Sequence, residues 1–70
     1  MKTYRWGILG LGKIAHTFAT DLQTVKNAKL YAVGSRTQSK ANQFAEEYQA
    51  SKAYGSYDAL IQDENIDVIY

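Results

Sequence analysis

The sequence predicts an α/β fold in which helices cover both faces of a parallel sheet. Short apolar runs that suit strands alternate with segments whose apolar residues recur at helical spacing. The predicted order of elements is β-α-β-α-β-α-β, with short connections throughout. Such alternation implies right-handed crossovers between parallel strands, so we expect a doubly wound sheet with the strand order 3-2-1-4.

The first two strands are predicted from apolar runs that end at or beside a glycine, and the first two helices from apolar residues at helical spacing. The strands cover residues 6–9 and 29–34, and the first helix runs from about residue 13 to about residue 24. The predicted inward face of this helix comprises Ile14, Phe18, Leu22 and Val25. A cap at Thr37 or Ser39 begins the second helix. Its predicted inward face comprises Ala41, Phe44, Ala45 and Tyr48.

The last part of the chain predicts a third strand at residues 51–54, a short helix and the start of a fourth strand. Ser56 suits the N-cap of the helix, and Asp58 lies in its first turn, where a carboxylate is stabilised by the helix dipole. The residues predicted to face inward are Tyr57, Leu60 and Ile61. The fourth strand begins at Val68 and is predicted to be buried. Because Tyr70 falls inside it, we expect residues 1–70 to form the N-terminal half of a larger domain.

Composition excludes several classes of function. The chain has 70 residues, a net charge of +1 and no cysteine, so it lacks a disulfide scaffold, a thiolate zinc site and a basic surface for nucleic acid. The positive start at Met1 and Lys2 precedes an apolar run too short for a signal peptide. No segment approaches the roughly 20 apolar residues that span a bilayer. We therefore expect a cytoplasmic protein without nucleic-acid, membrane or metal partners.

The strongest local motif is a glycine loop, Gly10-Leu11-Gly12-Lys13-Ile14-Ala15, which fits G-x-G-x-x-[GA] between a strand and a helix. Gly10 permits the tight turn, Gly12 lets the backbone approach a pyrophosphate, and Ala15 lets the helix pack near the sheet. The helix start offers free N–H groups to phosphate. We therefore predict a Rossmann-type dinucleotide site at Gly10, Gly12, Lys13, Ile14 and Ala15.

This loop has two alternatives to a dinucleotide site. Residues 7–13 also fit G-x-x-x-x-G-K, the opening of a phosphate-binding P-loop, but that motif requires Ser or Thr next, where this chain has Ile14. Gly7 also falls inside the predicted first strand. The other alternative is a strand-to-helix turn that binds no ligand.

The end of the second strand indicates which nicotinamide cofactor the chain favours. NAD-binding folds place an acidic residue about 20 residues beyond the glycine loop, whereas this chain has Ser35 and Arg36 there. A hydroxyl and a guanidinium suit a 2′-phosphate, which an acid would repel, and Lys40 adds a charge one helical turn on. We predict NADP(H), with NAD(H) as the alternative, because these residues are also typical of a solvated loop.

Two further side chains receive structural interpretations. His16 is the single histidine and has no partner at ligand spacing, so we predict a role at the helix surface or in packing. Tyr57 is predicted to pack, and the alternative is a position beside the cofactor cleft.

Four linked segments, at residues 5–15, 32–36, 53–57 and 66–70, resemble one family in order and spacing. They are similar to the glucose–fructose oxidoreductase, inositol dehydrogenase and MocA (Gfo/Idh/MocA) family across the whole chain. Phe18, Asp21 and the Ser35-Arg36 pair look most like its branch of dihydrodiol dehydrogenases and NADP-dependent sugar dehydrogenases.

This resemblance implies a two-domain oxidoreductase that passes hydride between NADP(H) or NAD(H) and a sugar-like or cyclic alcohol or ketone. It also implies a second domain that shapes the substrate site and joins subunits in a homo-oligomer. The family's catalytic lysine lies in a Glu-Lys-Pro motif. That motif, like the family's usual catalytic histidine or tyrosine, lies beyond the fourth strand, so no residue of this chain matches a catalytic position and none is expected to be catalytic. The cofactor positions that carry over are Gly10, Gly12, Lys13, Ile14, Ala15, Ser35, Arg36 and Lys40.

Two other functions stay open from the sequence. One is a Rossmann module that senses a nucleotide without chemistry. The other is a methyltransferase-like domain that binds S-adenosylmethionine, although such domains prefer an acid where this chain has Ser35.

Overall fold

Seven elements alternate along residues 3–70, the part of the chain that the computed structural model describes. The positive start at Met1 and Lys2, noted above, lies outside the described residues. The elements are β1 (Tyr4–Leu9), α1 (Lys13–Leu22), β2 (Ala28–Gly34), α2 (Gln38–Tyr48), β3 (Lys52–Tyr54), α3 (Tyr57–Ile61) and β4 (Val68–Ile69).

The strands form one parallel sheet in the order β3-β2-β1-β4, which confirms the predicted doubly wound α/β topology. In the central pair, Ile8 lies beside Val33 and Leu9 beside Gly34. The register shifts between Trp6 and Gly7, so this pair contains a bulge. Helices on both faces are what a parallel sheet requires, because its central strands are apolar on both sides.

The core has two parts, one on each face of the sheet. The larger part joins α1 and α2 to the strands and includes Ile8, Ala15, Ala19, Leu22, Leu30, Val33, Ala41, Phe44 and Ala45. The smaller part, on the α3 side, comprises Tyr31, Ala32 and Leu60. The predicted inward face of α2 is confirmed, since Ala41, Phe44 and Ala45 are buried and Tyr48 packs against them.

The predicted inward face of α1 is wrong at two positions. Ile14 is 71% exposed, and Val25 lies exposed beyond the end of the helix. The buried residues are instead Ala15, Ala19 and Leu22. Small side chains let a helix approach a sheet closely, so the alanines face inward and the larger Ile14 is displaced outward. The prediction followed the largest apolar side chains and therefore chose a neighbouring face of α1.

The short helix α3 also buries less than predicted. Leu60 is fully buried, but Tyr57 and Ile61 are exposed. A helix of five residues presents little more than one side chain to the sheet, and Leu60 takes that place. The fourth strand is likewise more exposed than predicted, because β4 lies at the edge of the sheet and Ile69 and Tyr70 are exposed.

The two predicted caps differ in how they act. Ser56 caps α3 as predicted, since its Oγ accepts a hydrogen bond from the Ala59 N–H at 3.2 Å. Thr37, one of the two predicted caps of α2, occupies the N-cap position, but its side chain makes no capping hydrogen bond.

Candidate functional site

A cleft of about 270 Å³ opens at the carboxyl ends of β1 and β2, above the glycine loop. It is lined by Leu11, Gly12, Ser35, Arg36, Thr37, Lys40 and Tyr57. In open parallel sheets, ligands bind outside the carboxyl ends of the strands where the strand order reverses. Here the order reverses at β1, which has β2 on one side and β4 on the other. The cleft is therefore the candidate functional site.

Gly10 makes the turn from β1 into the cleft. Its φ of +81° lies in the left-handed region, which residues with a Cβ rarely adopt. Its N–H donates to the Gly34 carbonyl at 3.0 Å, which fixes the turn against the end of β2. The tight turn that the motif assigns to Gly10 is thus present.

Gly12 has no conformational or packing reason to be glycine. Its φ of −85° is open to any residue, and a Cβ built on it would meet nothing within 4 Å. Gly12 lines the cleft, so this space is open on the ligand side. A side chain at this position would begin to fill the open space. The space therefore fits a ligand that approaches the backbone closely, as a pyrophosphate does at such loops.

The start of α1 presents backbone N–H groups beside this space. Gly12 is the N-cap, it offers no side-chain cap, and no acidic residue lies in the first turn. The first amides of any helix lack an intrahelical partner, and in α1 the bonds to the Gly12 carbonyl begin at Ala15. The amides of Lys13 and Ile14 are therefore placed to receive an anion. Ala15 is buried, so it acts by packing.

Ser35 brings a hydroxyl to the other side of the cleft. It is only 8% exposed, and its N–H donates to the Tyr54 carbonyl at 3.0 Å. Its Oγ accepts the Thr37 N–H at 3.3 Å, which orients the hydroxyl while its proton can still be donated. The Ser35 hydroxyl is therefore an oriented hydrogen-bond donor at the end of β2.

Arg36 and Lys40 give the cleft its charge. Both are exposed and both line the cleft. Within residues 3–70, neither side chain forms an ion pair or a hydrogen bond. No carboxylate is among the lining residues. An opening with two cations and no acid favours an anionic ligand.

The cleft brings together most of the predicted site residues and adds others. The lining includes Gly12, Ser35, Arg36 and Lys40, whereas Gly10, Lys13, Ile14 and Ala15 are not part of it. Leu11, Thr37 and Tyr57 complete it. The sequence favoured a packing role for Tyr57 over a position beside the cleft. In the structure Tyr57 lines the cleft, and its hydroxyl lies 3.7 Å from where a Cβ on Gly10 would be. The signal available was its place at the carboxyl end of β3.

His16 packs between α1 and α2, as predicted. Its Nδ1 is 2.8 Å from the Tyr48 hydroxyl oxygen, and its ring centroid is 4.6 Å from that of Phe44. Glu47 lies nearby, with an oxygen 3.9 Å from Nδ1. These contacts use His16 to join two helices.

A pair of side chains near α3, outside the lining of the cleft, has clearly shifted pKa values. The Tyr54 hydroxyl donates to Asp63 Oδ2 at 2.6 Å. This hydrogen bond, together with burial and the negative charge of Asp63, raises the pKa of Tyr54 to about 12. The same bond, with the Asn65 N–H, lowers the pKa of Asp63. This pair stabilises structure and does not face the cleft.

Within residues 3–70 there is no group of three side chains suited to hold a metal ion. The helices in this described part are all too short or too polar to cross a membrane.

Comparison with known families identifies the fold and its general chemistry. The sequence model of the Gfo/Idh/MocA family matches residues 4–70. This is an oxidoreductase family with an NAD-binding Rossmann fold. The chain belongs to this family. The match confirms the resemblance carried by the glycine loop and the segments that follow it.

The curated relatives that this chain matches include dehydrogenases. The trans-1,2-dihydrobenzene-1,2-diol dehydrogenase of Danio rerio is 41% identical over 68 residues, which cover 94% of this chain and 20% of that protein. The enzyme of the same name from Homo sapiens is 40% identical, with the same coverage. The chain thus spans about one fifth of the length of the curated relatives it matches.

Solved structures of the family superpose closely on the described residues. A scyllo-inositol dehydrogenase from Lactobacillus casei, with bound NAD(H) and scyllo-inositol, gives a TM-score of 0.85 at 28% identity, covering 99% of this chain and 21% of that one. The 3-ketoreductase KijD10 from Actinomadura kijaniata, in complex with TDP-benzene and NADP, gives 0.92 at 24% identity, covering 99% and 22%. The second likeness shows the fold alone.

Proposed function

We propose that this chain binds the adenosine end of NADP(H) in an oxidoreductase that transfers hydride to or from a sugar-like or cyclic alcohol or ketone. The observation that carries the proposal is the cleft lined by Ser35, Arg36 and Lys40 and by no carboxylate. A guanidinium pairs bidentately with phosphate, and a carboxylate in its place would repel it. NAD(H) is the alternative cofactor, since its ribose hydroxyls can also bond to Ser35.

The residues of the cleft divide into two groups in this proposal. Gly10 and Gly12 give the pyrophosphate access to the backbone, and the amides of Lys13 and Ile14 bond to it, while Ala15 lets α1 approach the sheet. At the other end, Ser35, Arg36 and Lys40 hold the 2′-phosphate. When bound, the nicotinamide accepts or supplies the hydride.

The wider organisation of the protein is part of the same proposal. Residues 1–70 are the N-terminal half of the dinucleotide-binding domain, and a second domain supplies the substrate groups and joins subunits into a homo-oligomer. The substrate class is supported by relatives named for a cyclic diol and an inositol. Because this chain holds no Glu-Lys-Pro motif, we expect it to bind cofactor without turnover when tested by itself.

The proposal is tested by calorimetric titration of NADP⁺ and NAD⁺ into the longest soluble form of the protein that contains these residues. We expect NADP⁺ to bind more tightly. Arg36→Ala should weaken NADP⁺ about tenfold and leave NAD⁺ within about twofold, because a hydrogen bond to a charged group contributes roughly 1.5–3 kcal/mol. Lys26→Ala, an exposed cation outside the cleft lining, is the matched control.

Salt is held low and equal in both titrations, since screening weakens exposed charge pairs. Equal binding of the two nucleotides, or tighter NAD⁺ binding, would show that Ser35 and Arg36 are not a phosphate site. If neither nucleotide bound, the cofactor function itself would be contradicted.

A further inference from the structure

Tyr57 holds a position that the packing of the core does not account for. It is the first residue of α3, is 36% exposed and lines the cleft. The buried residue of this helix is Leu60. An aromatic side chain kept at the wall of a polar cleft suggests a contact with whatever the cleft binds.

The place of Tyr57 is set by the packing of α3. Leu60 lies against two glycines of the sheet, with its side-chain carbons 3.2 Å and 3.0 Å from where Cβ atoms on Gly7 and Gly34 would be. The Ser56 cap holds the first turn. Because α3 begins shortly after β3 ends, its first residue lies at the carboxyl edge of the sheet. A rigid element therefore supports Tyr57.

The hydroxyl of Tyr57 lies at the glycine loop. Its oxygen is 3.7 Å from the position that a Cβ on Gly10 would occupy, an ordinary van der Waals distance, so the hydroxyl lies directly beside the loop. Within residues 3–70 this hydroxyl has no hydrogen-bond partner. A phenol O–H is a donor, and it lies beside the same loop whose amides at Lys13 and Ile14 are placed to receive an anion.

We propose that the Tyr57 hydroxyl donates a hydrogen bond to a pyrophosphate oxygen of the bound cofactor. This inference rests on the proposed function and adds a side-chain donor to a site that the motif assigns to backbone alone. The pyrophosphate is common to NADP(H) and NAD(H), so Tyr57 contributes to both cofactors equally. It differs in this from Ser35 and Arg36, which act at the 2′-phosphate.

The test is Tyr57→Phe, which removes the hydroxyl and keeps the ring. Calorimetry with NADP⁺ and NAD⁺, on the longest soluble form of the protein, should show both nucleotides binding about fivefold more weakly with their ratio unchanged. Thermal unfolding without nucleotide should be unaffected. Tyr4→Phe is the matched control, since this exposed tyrosine lies at the opposite end of β1 and outside the cleft lining.

The outcomes separate this inference from the function on which it rests. Unchanged affinities in Tyr57→Phe, with wild-type binding intact, would overturn the inference alone. A loss confined to NADP⁺ would also overturn it, because the hydroxyl would then serve the 2′-phosphate. Failure of the wild-type protein to bind either nucleotide would overturn the proposed function and this inference together.

Discussion

Gly10 and Gly12 lie two residues apart in the same loop, but the fold itself needs glycine only at the first position. At Gly10 the need is internal, because its φ of +81° strains any residue with a Cβ. At Gly12 the backbone is ordinary and the space around a Cβ is open. The folded chain does not itself require glycine there, so under the proposed function we expect the pyrophosphate to be what requires it.

Gly12→Ala should therefore separate binding from stability. The weaker N-cap and the reduced freedom of the unfolded chain oppose each other, so unfolding should change by no more than about 0.5 kcal/mol. Binding of NADP⁺ and NAD⁺ should both weaken about tenfold or more, because the new methyl group occupies the approach to the backbone. Chemical denaturation and calorimetry on the same preparation measure the two effects. Nucleotide binding equal to wild type would contradict a close approach at Gly12.

Ser35 shows what a residue type can and cannot indicate. A serine where an acid is usual was enough to favour a phosphate over bare ribose hydroxyls. Its burial and the bond from the Thr37 N–H that orients its hydroxyl follow from the turn after β2. The bond from the Thr37 N–H is a local turn of a kind that serine favours, whereas the burial of Ser35 depends on the path of the chain.

At the scale of elements, the position of α3 depends on the absence of side chains beneath it. A Cβ on Gly34 would lie 3.0 Å from Leu60 Cδ1 and 3.3 Å from Leu60 Cβ. Both distances are tighter than nine in ten real Cβ contacts, so Leu60, which is fully buried in a close-packed core, would have to shift by a few tenths of an ångström. Small residues in the central strands thus let a short helix sit close enough to carry Tyr57 to the cleft.

Gly34→Ala should destabilise the protein through this contact. Overpacking in a closed core costs about 1–3 kcal/mol, and the stiffer unfolded chain offsets roughly 0.4–1 kcal/mol of it. Chemical denaturation should show a net loss of about 1 kcal/mol. Gly12→Ala is the matched control, since the same methyl group there meets open space. An unchanged free energy of unfolding would mean that α3 can shift at no cost.

At the scale of the whole molecule, the Tyr54–Asp63 pair ties the region around α3 to β3 and links stability to pH. Asp63 has a pKa below its usual 3.8, so its contribution is present above that value and is lost as the pH falls through the lowered pKa. Tyr54 has a pKa raised to about 12, so its contribution is present below the usual 10.0 and is lost as the pH rises toward 12.

Asp63→Asn should make the protein less stable at pH 7 and flatten the loss of stability on the acid side. The amide is a weaker acceptor for the Tyr54 hydroxyl than the carboxylate, and it does not titrate. Denaturant unfolding measured from pH 7 down to about pH 2.5 compares the two proteins. Glu64→Gln removes the adjacent exposed carboxylate as a control. Parallel acid profiles for wild type and Asp63→Asn would contradict the assigned role.

The order of the elements and the chemistry of the loop were determined by sequence alone. Strands, helices and caps such as Ser56 leave local signals, namely apolar runs, helical periodicity and a polar residue before a helix. The strand order followed from the alternation of elements, because parallel crossovers have one hand. The glycine motif and the Ser35-Arg36 pair likewise depend on residue types at short spacing, so the family and the candidate cofactor residues were accessible.

Only the tertiary structure decided which faces are buried and which side chains meet. Ala15 and Ala19 face the core in place of Ile14 because a close helix–sheet contact favours small residues over large ones. Leu60 occupies the inward position of α3 against Gly34, and this packing places Tyr57, at the start of the helix, beside the cleft. Both results depend on distances between elements remote in the chain, and periodicity within one element carries no information about them.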